Sequence, residues 1–329
     1  MATLRGAIRS YGATVRRIER EQQRRNREAA KRFKEQQKLQ ALADASQAVE
    51  DYNNYVEILQ SVHKNCTESV DWNRIKNHPK PLKPTEEWEN ELKAKTKLEN
   101  FRPSLFDTIF GSSKKKITRL EDAINLASEK DRKQNDLNFE KYKQELNDWT
   151  RLQNISDGID QKNPEAYKEA LLYFDPFSDI GELGSKLDFK FEENLIDINL
   201  HVNSLDIIPD YELRQTSTGK LSKKNMAKSK YNELYQDHIC SAVIRIAREV
   251  FAYLPVEYVR VNAMAELLNT KTGHMEEKAI LSVIVPPETI QKLNLDTIDP
   301  SDSMQNFVYN MKFVKTTGFK EVSKVELED

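Results

Sequence analysis

No glycine falls between Gly12 and Gly111, and no proline precedes Pro79. These two residues are the main interrupters of helices: glycine loses the most backbone entropy on folding, and proline removes an amide donor and clashes with the preceding turn. Residues 13 to about 64 therefore have the makings of one uninterrupted helix, a rod of roughly 75 Å at a rise of 1.5 Å per residue. Opposite charges at i,i+4, such as Glu21 with Arg25, Glu28 with Arg32 and Lys31 with Glu35, support it, each pair by a few tenths of a kcal/mol.

A rod of that length has to cover its apolar face. Two stripes occur at heptad-like spacing, Leu4, Ile8, Tyr11, Val15 and Ile18, and then Leu42, Ala45, Val49, Tyr52, Val56 and Leu59. Burying such side chains is worth roughly 1.5–3 kcal/mol each, so Leu42, Val49, Tyr52, Val56 and Leu59 are read as an oligomerisation seam. Between the stripes lies "RIEREQQRRNREAAKRFKEQQKLQ", and residues 1–40 hold 12 basic and 4 acidic side chains. Arg16, Arg17, Arg20, Arg24, Arg25, Arg27, Lys31 and Arg32 are candidate nucleic-acid contacts. At about 100° per residue they spread around the helix, which fits a solvated surface better than a groove-reading face. The excess positive charge would nonetheless attract a polyanion through phosphate contacts, and the amphipathic start Leu4 to Ile18 allows weak contact with an anionic membrane surface.

Three prolines in "NCTESVDWNRIKNHPKPLKP" mark a linker over residues 65–113, with a short helix from Glu86 capped by Thr85. A second long helix is expected over 114–163, its apolar face running from Leu120 to Ile159. After Pro164 the period changes to two in "LDFKFEENLIDINLHVN", and further strands, "YVRVNAMAELLN" and "KAILSVIVP", flank a helix apolar around most of its circumference. The tail "SDSMQNFVYNM" reads as helix. With 38% hydrophobic and 32% charged residues the chain is too polar for one compact globule. The expected fold class is α+β: a long N-terminal coiled-coil arm or helical hairpin (residues 1–64 and 114–163) followed by a small mixed α+β domain over 165–329.

Few residues form a chemical constellation. "FGSSKKKIT" lacks the flanking glycines of a phosphate loop. Cys66 and Cys240 are too far apart in sequence to imply a disulfide framework, and the five histidines are scattered, so no metal or cofactor is expected. No apolar run of about 18 residues occurs, and a reducing, cytoplasmic setting is expected. Glu233 and Asp237 share a helix face at i,i+4 and read as plain surface. The lysine-rich "TGKLSKKNMAKSKY" leads into a helix, which makes Lys220, Lys223, Lys224 and Lys228 candidate phosphate contacts.

The segments "LSKKNMAKSKYNELYQDHICSAVIRIARE" and "VEYVRVNAMAELLNTKTGHMEEKAILSVIVPPETIQKLNLDTIDP", roughly the last third of the chain, resemble a poorly characterised bacterial domain found with coiled coils or with restriction-endonuclease-like, defence-associated proteins. Sites of the latter kind use an acid on one strand and Glu-X-Lys on the next to hold a hard cation. Asp197 is expected in a strand, whereas Glu276-Glu277-Lys278 falls at a loop edge, and no catalytic residue carries over. The expectation is a non-enzymatic coiled-coil assembly subunit of a bacterial intracellular complex, its C-terminal domain docking a protein partner. The alternative is a DNA- or RNA-binding subunit of a bacterial defence system, with a nuclease association open to it.

Overall fold

The computed structural model describes residues 45–103, 112–178, 185–202, 207–217 and 220–327. They fall into two compact units, one of residues 74–153 and one joining the segment up to residue 73 with residues 154 onward.

The second unit is organised by a sheet. β1 (Ser185–Phe191) and β2 (Leu195–Val202) form an antiparallel hairpin; β5 (Tyr258–Leu268) lies parallel to β2, and β6 (Met275–Val285), β7 (Val308–Val314) and β8 (Gly318–Lys320) continue antiparallel, in the order β1-β2-β5-β6-β7-β8. Between β2 and β5 the chain makes a separate two-stranded ribbon, β3 (Tyr211–Gln215) and β4 (Leu221–Asn225), and then the helix α6 (Lys228–Tyr253). Strand alternation sends Ile196, Ile198, Leu200, Val259, Val261 and Ala263 into one core with Val243, Ile246 and Val250 of α6. Helix α5 (Pro164–Phe174) adds Tyr167 and Ala170 to the same core. It starts on an Asn163 cap whose side chain accepts from the Glu165 amide.

The expectation of a coiled-coil arm ahead of a separate α+β domain is overturned. Helices and strands are interleaved along residues 45–320, and the segment expected to be the arm contributes to the globular core. Helix α1 (Ala45–Gln60) buries Tyr52, Tyr55 and Leu59 against Ile208, Tyr211, Met226 and Leu234. The apolar spacing was real, but it is satisfied within one chain by a ribbon and a helix over 140 residues away in sequence. From Gln60 a 3-10 turn (Val62–Lys64) and an extended segment follow α6: His63 accepts the Arg248 side chain on its carbonyl, Val70 donates to the Ala252 carbonyl at 2.7 Å, and the Trp72 indole donates to the Tyr253 carbonyl at 2.6 Å.

In the first unit α2 (Trp72–Lys76) leads into a proline-containing strap and α3 (Glu89–Glu99), and the long helix α4 (Ser113–Asp160) begins one residue from the expected start. The strap is pinned to α4 by polar bonds: Gln153 Nε2 to the Ile75 carbonyl (2.8 Å), Trp149 Nε1 to the His78 carbonyl (2.9 Å), and Asn135 in both directions with the Glu87 backbone (3.0 and 2.9 Å). Helix α3 starts three residues later than expected and Thr85 does not cap it. Its cap is the buried Asp131 of α4, which accepts from the Glu91 amide at 2.8 Å and from the Asn90 side chain. A carboxylate there meets both the open amides and the positive end of the helix dipole.

The last strands also depart from expectation. Where "SDSMQNFVYNM" was read as helix, the helix α8 (Pro300–Ser303) and a 3-10 turn (Met304–Asn306) give way to β7. A second short helix, α7 (Pro287–Gln291), precedes α8. At the β7–β8 turn Gly318 has φ +82°, and a Cβ there would lie 3.3 Å from Asn232 Oδ1, the side chain that holds the turn by donating to the Lys315 carbonyl.

Candidate functional site

Strand parity sets which of the acids considered for a cation site share a face. Asp197, Asn199 and His201 of β2 stand on the face of the sheet that also carries Arg260 and Asn262 of β5 and Ser282 of β6. Asp197 is bonded by Arg260 Nε at 2.9 Å and Asn262 Nδ2 at 2.8 Å; burial alone would raise its pKa, but these donors outweigh burial and hold it below the usual aspartate range. His201 sits between Asp188 (2.7 Å) and Glu277. The C-terminal segment lies over this network, with Val325 donating to Ser282 Oγ at 2.9 Å and Lys324 to Asn199 Oδ1 at 2.8 Å.

Glu276 and Lys278 do lie within a strand, contrary to the loop edge expected. They are paired to each other at 3.0 Å, but they face Leu267 and Ala265, on the opposite side of the sheet from Asp197. The cause is a β-bulge: Ala263 pairs with Leu281 and Met264 with Ala279, so Ile280 is an extra residue that reverses the alternation of everything before it in β6. Asp197, Glu276 and Lys278 therefore do not converge. Among the described residues no group of three or more His, Cys, Asp or Glu is arranged to hold a metal ion.

A different constellation assembles in a groove of about 810 Å³. Its walls come from α1, the N-terminal half of α6, the α8 region and β7. Five carboxylates line it, Glu57, Glu233, Asp237, Asp299 and Asp302, with Tyr52, Val56, Tyr309 and Phe313 supplying apolar flanks. Glu233 and Asp237, the pair read as plain surface, are thus a wall of a concave site. Its two lysines are engaged: Lys315 pairs with Glu233 at 2.5 Å, and Lys230 with Glu212.

Two of the acids are tuned in opposite directions. Burial pushes the Asp237 carboxyl up, and the neighbouring charges of Asp299 and Glu233 add to the rise against hydrogen bonds from Gln60 (2.8 Å) and Ser301. Burial also acts to raise Asp299, yet donation from the Asp302 and Ser301 amides, at 3.0 and 2.9 Å, brings it below the usual range, because Asp299 is the N-cap of α8. Behind the groove, His63 contacts Ser241 Oγ through Nδ1 (2.8 Å) and the Leu295 carbonyl through Nε2 (3.0 Å); burial lowers its pKa, and it ties α6 to its neighbours without reaching solvent.

The remaining sequence candidates are dispersed. Arg16, Arg17, Arg20, Arg24, Arg25, Arg27, Lys31, Arg32 and Leu42 lie outside the described residues. Tyr52 and Leu59 are buried within the chain, and Val49 and Val56 are half-buried. Lys220, Lys223 and Lys224 stand on or beside β4, and Lys228 opens α6; all four are exposed. The groove acids had no common signal in the sequence, because they come from elements up to about 245 residues apart (Glu57 and Asp302). Among the described residues no helix is long and apolar enough to cross a membrane. No family model, no curated protein and no solved structure matches the chain.

Proposed function

We propose that this chain is an interaction subunit whose acidic groove docks a lysine- or arginine-bearing segment of a protein partner. The observation that supports this reading is the five-carboxylate lining of an open groove whose own lysines are already engaged. Burial pushes the Asp237 carboxyl up, and repulsion from the like charges of Asp299 and Glu233 in the same wall adds to the rise. A cationic side chain entering the groove relieves it, while the aliphatic stem of lysine or arginine packs on Tyr52, Val56 and Phe313.

The test is fluorescence anisotropy of the full chain with a labelled peptide of alternating lysine and alanine, at about 50 and 150 mM salt. Binding that weakens with salt, is absent for the glutamate–alanine counterpart, and falls about tenfold in Glu57→Gln/Asp302→Asn supports the groove. Equal affinity in that variant, with both side chains exposed and the fold intact, sinks it.

A further inference from the structure

On the same unit, residues 211–230 invert the groove's charge, with six basic side chains and one acid. That acid, Glu212, is used twice, by Lys230 and by Arg214 at 3.1 Å, and Lys230 before all others holds its carboxyl below the usual range. Lys220, Lys223, Lys224 and Lys228 remain, all exposed. Lys223 lies over the Tyr211 ring with Nζ 3.9 Å from its centroid, and Tyr211 is itself fixed in the cluster with Tyr52. A cation–π contact places a charge without neutralising it. The ribbon is thus anchored by an apolar root and carries cations along its length, from Lys220 at the turn end to Lys224 opposite Glu212 and Lys228 at the start of α6.

We propose that the β3–β4 ribbon, with the first turn of α6, binds the phosphodiester backbone of nucleic acid. A two-stranded ribbon, its strands about 4.8 Å apart, is an element that the roughly 12 Å wide major groove of a duplex admits. Nucleic acid is favoured over an anionic lipid surface because the sequence joining β3 to β4 reads "TSTGK", with no apolar side chain, and Leu221 beside it is exposed by 37%, too little apolar surface to enter a bilayer. The contacts are to phosphate and not to base edges. Lysine acts as a point charge, and Arg214, the one side chain here with a base-reading fork, is held by Glu212.

The experiment uses the full chain, a labelled random-sequence DNA duplex and, in a second arm, vesicles containing phosphatidylserine, each at about 50 to 200 mM salt. The variant is Lys220→Glu/Lys224→Glu/Lys228→Glu, whose sites are exposed and whose fold is checked by its thermal melt. Expected are duplex binding by the unmodified chain, at least about tenfold weaker binding by the variant, and a log–log salt slope reduced by roughly 2–3, near 0.9 per lost phosphate contact. The Lys→Arg counterpart should retain affinity, which a lost structural role of the lysines would not explain. An unchanged slope and affinity in the Glu variant would overturn the proposal, as would no duplex binding at the lowest salt. Vesicle binding lost in the variant while duplex binding stays the same would reassign the surface to lipid.

Discussion

The two units are held by different forces. In residues 74–153 the cross-links are polar, running through Gln153, Trp149, Asn135 and Asp131, and up to Trp149 no apolar side chain of α4 is fully buried: Leu126 and Leu137 are 71% and 64% exposed. In the other unit a continuous apolar cluster joins α5, α6 and four strands, with most members fully buried. A hydrogen bond contributes about 1 kcal/mol net because water competes for it, whereas a buried aliphatic side chain contributes roughly 1.5–3. The sheet unit should accordingly be the cooperative block. The strap and α3 should open far more readily, and native-state hydrogen exchange would show that order.

The largest expected effect tests whether α1 belongs to the cooperative block. Leu59 is 1% exposed, so Leu59→Ala should cost about 2–5 kcal/mol and lower the Tm by roughly 5–15 °C, at any protein concentration. A shift that grows on dilution would instead place Leu59 at a contact between chains. Next comes Asp131→Ala. It removes the cap of α3 and should speed amide exchange across Glu89–Glu99 about tenfold, leaving the melt of the sheet unit where it was. A large fall in that melt would show that the first unit is not energetically separate.

The smallest effect has a definite sign. Because the folded-state pKa of Asp237 is raised, the native chain binds more protons than the unfolded one between the ordinary aspartate value and the raised one, and stability falls as pH climbs through that window. Asp237→Asn removes the penalty. Its Tm should exceed that of the parent by a few degrees near neutrality, with the gain shrinking as pH falls through that window and gone below about 4. A gain that persists unchanged at low pH would trace to something other than the charge.

Where local pattern and final environment agree, the sequence was readable. The alternation through Leu187, Phe189 and Phe191, and again through Ile196, Ile198 and Leu200, is a strand signature because one face is apolar; the crowded apolar circumference of α6 likewise requires burial. Strand β7 had the same signal in Phe307, Tyr309, Met311 and Phe313, masked by the helix-like "SDSMQN" before it. The partner of α1 was beyond reach, since a heptad stripe specifies that a face is covered and not what covers it. The capping role of Asp131 and the convergence of Asp237 with Asp299 depend on single polar side chains 40 and 62 residues from what they meet, and no periodicity encodes such pairings.

The extra residue in β6 has a consequence for how narrowly this chain misses another chemistry. Ile280 fixes the parity with which β6 is laid on β5. Take Ile280 into the ladder opposite Met264 while keeping the pairing of Ser282 with Asn262, and Lys278 and Glu276 would come to stand opposite Glu266 and Leu268, on Asp197's side of the sheet. A one-residue slip in the pairing thus separates this surface from one in which an acid and an acid–lysine pair share a face. The bulge works as a one-residue toggle, and in this chain it is set so that Asp197 is bound by Arg260 and Asn262 instead of sharing a face with Glu276 and Lys278.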